Sequence, residues 1–133
     1  MDPSQINYLA VGAAALSSFL IGGVWYSPIL FAKAWMRETG LAEEELKQNV
    51  GRTFAIAFVL SLVIALNLAF FLGSEADVVW GMTAGALAGV GWVATSIGIT
   101  YAFERRSLVL TLIDAGYHAV AYTVMGAILG AWH

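Results

Sequence analysis

The sequence predicts an all-α integral membrane protein built as a four-helix bundle. Of its 133 residues, 60% are hydrophobic and 11% are charged, and the mean hydropathy is +0.80. These values lie outside the range of soluble globular domains. The chain also contains four apolar stretches that approach the ~20 residues needed to cross a bilayer. All six Lys and Arg residues lie between these stretches.

The chain is expected to form a single transmembrane domain over residues 1–133. The predicted spans cover residues 6–27, 53–73, 78–103 and 108–132. Residues 29–52 form the one long connection, and in it Phe31, Ala34 and Trp35 recur at helical spacing. Such spacing beside charged residues indicates a short amphipathic helix at the membrane interface.

The positions of the basic residues predict the orientation of the bundle. Four of them lie in residues 29–52 and two lie in residues 104–107, whereas the acidic turn 74–77 has none. Cytoplasmic loops of membrane proteins carry an excess of Lys and Arg. We therefore expect residues 29–52 to be a cytoplasmic helical loop, with the N-terminus and the C-terminus outside.

The fourth span carries an acid and an imidazole in apolar surroundings. Asp114 and His118 are four residues apart, so they share one face of a helix. Ionisable groups inside a membrane usually face a partner, a cavity or a pathway. Together with polar residues at similar depth, they predict a polar pocket that opens towards the cytoplasm. The expected lining residues are Tyr26, Trp92, Thr95, Ser96, Asp114, Tyr117, His118 and Tyr122.

Three interpretations of the pair remain open. Asp114 can be part of a structural clasp, in which it accepts hydrogen bonds from His118, a Tyr or a Thr. The pair can instead be a proton or cation site of a small transporter or channel. In the third interpretation, His118 ligates a haem or a metal, and a second imidazole would then have to come from a symmetric dimer.

Glycines recur at intervals of four in the last two spans. Gly81, Gly85 and Gly89 form one ridge, and Gly126 and Gly130 form another. Small residues at this spacing let helix backbones approach closely. The ridges are expected to pack the third span against the fourth or to join two protomers, and a homo-oligomer is expected. At helical spacing Trp92 and Ser96 fall on the same stripe as the glycines, with Thr95 beside it.

Several classes of function are excluded or disfavoured. The chain has no cysteine, so disulfides and thiolate metal sites are excluded. It has no nucleophile motif, phosphate loop or carboxylate pair, so we expect no enzyme, no cofactor and no metal. The basic residues are few, which disfavours nucleic acid as a partner. The expected partners are the lipid bilayer and either a second copy of the chain or other membrane subunits.

Three segments resemble the family known as domain of unknown function 1761. They are GVWYSPILFAKAWM (23–36), LAEEELK (41–47) and ERRSLVLTLIDAGYHAVAYTVMGAILGAW (104–132). The resemblance implies a small four-span membrane protein, mostly bacterial, and so a place in the bacterial inner membrane. It brings no catalytic residues. The function expected from the residues is a small-solute or proton-linked ion transporter or channel, and the alternative is an accessory subunit of a membrane complex.

The orientation can be tested with single cysteines, because the natural chain has none. Cysteines at Ser4 and Ser74 should react with a membrane-impermeant maleimide added to intact cells, and a cysteine at Gln48 should not. Labelling of the Gln48 variant with protection of the Ser74 variant would reverse the predicted topology.

Overall fold

The computed structural model describes residues 2–133 and contains six α-helices, which follow a short 3-10 turn over Pro3–Gln5. The helices are α1 (Tyr8–Trp25), α2 (Ala32–Thr39), α3 (Glu43–Leu46), α4 (Val50–Leu72), α5 (Val78–Phe103) and α6 (Leu108–Ala131). Within α5, residues Gly89–Ala94 adopt a π-helical turn.

Four of these helices, α1, α4, α5 and α6, are long and apolar enough to cross a membrane. The all-α fold class predicted from composition is therefore confirmed, and the protein is a membrane protein. The helix bounds fall close to the predicted spans. The largest difference is at α4, which starts at Val50 instead of residue 53, after Asn49 in a left-handed conformation.

Capping residues fix where several of these helices begin and end. Asn7, Asp77 and Ser107 each accept a hydrogen bond from a backbone N–H in the first turn of α1, α5 and α6, which satisfies a donor that the helix leaves free. Helix α2 ends at Gly40, whose φ of 76° is a left-handed conformation that glycine adopts without strain.

The interior of the bundle is built mostly from small residues. Ala10, Ala14, Ala65 and Ala121 are almost fully buried, and the largest side chains buried to the same degree are Leu110 and Met125. Most Leu, Val and Phe side chains face outwards instead, as expected of helices that contact lipid. Because alanine side chains are small, the helix axes can come close together. Helices in a membrane associate through such van der Waals packing, since lipid tails leave little hydrophobic driving force between them.

The glycine ridges pack within one chain. Gly81 faces the backbone of Gly126 and Gly130, and Gly85 faces the backbone of Tyr122. A Cβ atom at Gly81 or Gly85 would overlap a carbonyl oxygen of α6. Of the two expected roles of the ridges, the structure therefore shows packing of α5 on α6. Any contact between protomers has to use another surface.

The π-helical turn ends this close contact. A π turn takes more residues per turn than an α-helix, so the side chains that follow Gly89 are rotated relative to the stripe of glycines. Contact between α5 and α6 is dense along the ridge and sparse after the turn. The last turns of α5, which run to the end of the bundle away from the ridge, therefore turn a different helix face towards α6.

Helix α2 packs against the end of the bundle at which α5 ends and α6 begins. Ala32 is buried, and the ring of Trp35 lies edge-on to the ring of Tyr26, with 5.9 Å between centroids. On the same helix, hydrogen bonding to the Ser107 hydroxyl, and then to Arg37, lowers the pKa of the Glu38 carboxyl. We call this end, which carries all six Lys and Arg residues, the basic end.

The ridge predicts a difference between two glycines of α5. Gly85→Ala should destabilise the purified protein by about 1–3 kcal/mol, because its methyl group would push the two backbones apart. Gly98→Ala should be neutral or stabilising by up to about 1 kcal/mol, because nothing lies within 4 Å of the added carbon and alanine favours helix. Thermal unfolding in one detergent compares them, and equal melting temperatures would contradict this packing.

Candidate functional site

The carboxylate of Asp114 joins three helices at the basic end. The hydroxyl of Tyr26, just after α1, donates to Oδ1 of Asp114 at 2.7 Å. The hydroxyl of Tyr101, in the last turns of α5, donates to Oδ2 at 2.6 Å. Both oxygens of the half-buried carboxylate therefore have a donor, and charge-assisted bonds of this length are strong. We call these three residues the Asp114 clasp.

The bend after α1 places Tyr26 in this position. The Ser27 hydroxyl donates to the carbonyl of Val24 and accepts from the N–H of Ile29, so the chain turns within a few residues at the Ser-Pro step. The ring of Pro28 disfavours helical geometry at the residue before it, which explains why α1 ends here. The turn leaves Trp25 and Tyr26 pointing at α6.

Trp25 forms a second link to α6. Its indole N–H donates to the carbonyl of Ile113 at 2.9 Å. The ring also lies over Gly116, where a Cβ atom would come within 3.1 Å of Cζ2. Residues 25–28 and 114–118 belong to two of the segments that carried the family resemblance, and in the fold they contact each other through Trp25 and Tyr26.

Tyr117 forms the third link between α1 and α6. Its hydroxyl donates to the carbonyl of Ser18, and it shares a hydrogen bond of 3.0 Å with the Ser18 hydroxyl. The ring packs over Gly22, 3.3 Å from where a Cβ atom would stand. A larger residue at Gly22 would therefore displace Tyr117.

His118 lies one turn deeper than Asp114 on the same face of α6. Its ring is half-buried and contacts the rings of Tyr117 and Tyr122, at centroid distances of 4.8 Å and 6.5 Å. Within residues 2–133 no hydrogen bond joins His118 to Asp114. The donors expected at Asp114 were His118, a Tyr or a Thr, and the two that are present are both tyrosines. The two tyrosines lie towards the basic end, and the carboxylate is turned to them.

Tyr101 was not identified from the sequence. It lies in the last turns of α5, beside a charged turn, and its type and position are those of an interfacial anchor. The guanidinium of Arg106 lies 5.1 Å from the centre of its ring. Hydrogen bonding to Glu104 raises the pKa of Arg106, so this cation stays charged above the ring.

Three residues of the predicted pocket lie elsewhere. The side chain of Trp92 is 62% exposed on the outside of the bundle. Thr95 and Ser96 are also exposed, and their hydroxyls donate to backbone carbonyls of their own helix. The prediction placed Trp92 and Ser96 on the glycine stripe, but it assumed a regular α-helix. The π-helical turn rotates this segment away from α6.

The site therefore consists of a carboxylate, an imidazole and a phenol in successive turns of α6. Asp114, His118 and Tyr122 form this polar stripe, with the clasp at its end nearest the basic end. No three His, Cys, Asp or Glu side chains cluster among the described residues in a way that could hold a metal ion. The chemistry that the stripe offers is proton binding and hydrogen bonding.

The clasp predicts coupled effects on stability. Tyr26→Phe and Tyr101→Phe should each cost about 1–3 kcal/mol, because each leaves one oxygen of Asp114 without its donor. In an Asp114→Leu background the same substitutions should cost much less. Tyr8→Phe is the control, since the hydroxyl of Tyr8 bonds only the carbonyl of Pro3 at the exposed N-terminus. Equal costs in both backgrounds, measured by unfolding in mixed micelles, would refute the clasp.

Comparison with known proteins gives one match. No curated protein and no solved structure matches the chain. The model of the family described as protein of unknown function DUF1761 matches residues 9–130. This match includes the four long helices almost entirely and the whole of the Asp114 clasp, and it confirms the resemblance seen in the sequence. The chain belongs to the DUF1761 family.

Proposed function

We propose that the protein is a small proton-linked transporter or channel in which Asp114 and His118 bind the proton. The polar stripe on α6 is the observation that carries this proposal. Counting ~1.5 Å per residue from Leu108, Asp114 lies roughly 9 Å and His118 roughly 15 Å along the helix. Ionisable groups at such depth in a membrane protein usually mark an ion or proton pathway. We assign the pair no catalytic role.

Proton binding at Asp114 would change the contacts between helices. An ionised carboxylate can only accept hydrogen bonds, and it accepts one from each tyrosine of the clasp. A protonated carboxyl has a donor on one oxygen and is a weaker acceptor than a carboxylate, so the hydrogen bond from one tyrosine weakens or reverses its direction. Because Tyr26 follows α1 and Tyr101 belongs to α5, either event alters how these helix ends are tied to α6.

The polar stripe offers the proton a path beyond Asp114. An imidazole ordinarily exchanges protons near neutral pH, and His118, which is close to the bilayer midplane, lies between the clasp and Tyr122. Water can approach from the basic end, where Tyr101 is in contact with Arg106. In the proposed orientation this end faces the cytoplasm of a bacterial cell, with the inner membrane as the location of the protein.

A second candidate function is that of an accessory subunit in a larger membrane complex. Trp92, Thr95 and Ser96 favour it, because they place polar side chains on the outer face of α5. Polar groups that face lipid in an isolated chain often face another helix in an assembly. A second copy of this chain would serve equally, which is the homo-oligomer expected from the sequence.

Proton flux tests the first candidate. Wild-type protein in liposomes that enclose a pH-sensitive dye should dissipate an imposed pH gradient faster than empty liposomes do. Asp114→Asn should reduce the rate to that of empty liposomes, because the amide keeps the shape but cannot exchange a proton. Glu75→Gln is the matched control, since this exposed carboxylate lies in the turn at the opposite end.

Two results would contradict proton-linked transport. One is a wild-type rate equal to that of empty liposomes, and the other is an unchanged rate in Asp114→Asn. A native purification then decides for the subunit role if the same partner proteins accompany the chain in constant proportion.

A further inference from the structure

A groove on the side of the bundle lies between α4 and α5. Its volume is about 400 Å³, within the range of ~300–1,000 Å³ that is typical of small-molecule sites. It opens outwards, because Val63, Phe71 and Trp92 in its wall are each at least half exposed. The groove is lined by Val63, Ile64, Asn67, Leu68, Phe71, Ala88, Trp92, Val93 and Tyr122.

Two hydrogen-bond donors in this apolar groove have no acceptor. Within residues 2–133, neither the Trp92 indole N–H nor the Tyr122 hydroxyl donates a hydrogen bond. Both residues are near the middle of their helices, where lipid chains offer no acceptor and an unsatisfied donor is costly. The amide nitrogen of Asn67 donates to the carbonyl of Val63 at 2.8 Å, which leaves its side-chain oxygen as a third polar group.

The walls of the groove also favour a flat molecule. Trp92 and Phe71 meet edge to face, with 5.9 Å between ring centroids, and the ring of Tyr122 lines the same groove. Aromatic side chains pack well against the faces and edges of planar rings. The π-helical turn that moves Trp92 off the glycine stripe brings it to this position.

We propose that the groove binds a lipid-soluble planar carbonyl compound with an apolar tail, of the quinone class. Its carbonyl oxygens accept hydrogen bonds from Trp92 and Tyr122, and its tail lies along the aliphatic side chains of α4. A lipid acyl chain fits the apolar wall but carries no acceptor at this depth. A helix of a second copy has its own backbone carbonyl groups hydrogen-bonded within the helix, so it is a poorer acceptor for the two donors than a free carbonyl compound.

This inference names the substrate class of the proposed transporter, and in that respect it rests on the proposed function. Tyr122 connects the two, because its ring lines the groove and lies 6.5 Å from the ring of His118, centre to centre. The ligand would enter sideways from the bilayer, and the proton would enter from the basic end. The binding itself can be measured without any assay of transport.

Tryptophan fluorescence gives a direct test of binding. The full chain in phosphatidylcholine nanodiscs is titrated with decylubiquinone, which quenches tryptophan. We expect a saturable component that Trp92→Phe removes and Trp80→Phe keeps, since Trp80 lies outside the groove. Tyr122→Phe, which keeps the ring, should raise Kd about tenfold through loss of one hydrogen bond. Tyr8→Phe should leave Kd unchanged.

Decylbenzene, which has the same tail and no carbonyl, is the second probe, in competition with decylubiquinone. Its inhibition constant should be at least tenfold larger than the Kd of decylubiquinone. Quenching without saturation, equal competition by decylbenzene, or an unchanged Kd in Tyr122→Phe would each overturn the proposal. A dimer in nanodiscs that shields Trp92 from the quinone would overturn it in favour of a second copy.

The two proposals fail in different ways. Saturable quinone binding, together with a proton flux that Asp114→Asn does not change, would support the quinone site and contradict the proposed transporter. A proton flux that depends on Asp114, without saturable quinone binding, would contradict the quinone site only.

Discussion

Backbone contact between α5 and α6 is the constraint on which the rest of the structure depends. Gly81 and Gly85 leave no room for a side chain against the carbonyl groups of α6. This contact fixes the rotation of α6 and so decides which way Asp114, His118 and Tyr122 point. The π-helical turn after Gly89 then releases α5 from the ridge. Because of that release, Tyr101 can reach Asp114 while Trp92 turns outwards.

The Asp114 clasp is the polar counterpart of the ridge. An ionised carboxylate inside a membrane is costly unless it is hydrogen-bonded, and here two tyrosines from different elements provide the bonds. Trp25 and Tyr117 add links from the α1 side. The end of α1 is thus tied to α6 by side chains, whereas α5 is tied to α6 mainly by backbone contact. A change of protonation at Asp114 would alter side-chain hydrogen bonds to α6 and leave the backbone contact of the ridge intact.

The fold class could be predicted because it depends on composition and periodicity alone. Four long apolar stretches, Gly40 at the end of α2 and the four-residue repeat of glycines are all visible in the sequence. Asp114 and Tyr26 were also recognised, since an acid in an apolar helix and a tyrosine at a span end stand out.

The details of the site could not be predicted. A π-helical turn has no simple sequence signature, and it displaces Trp92, Thr95 and Ser96 from the positions that regular helical spacing gives. Tyr101 was missed because a tyrosine beside a charged turn is usually an interfacial anchor. The comparison of depth that selected the other pocket residues applies to Tyr101 as well, since Tyr101 and Asp114 lie on either side of the same short turn between α5 and α6.

The central claim, that Asp114 is a proton-binding carboxyl held by tyrosines, is tested most directly by infrared difference spectroscopy of the protein in lipid. A change of pH should produce a carboxylic acid band that is absent in Asp114→Asn and shifted in Tyr26→Phe and Tyr101→Phe, because hydrogen bonding changes the carbonyl stretch. A band that persists in Asp114→Asn, or one that neither tyrosine substitution shifts, would contradict the claim.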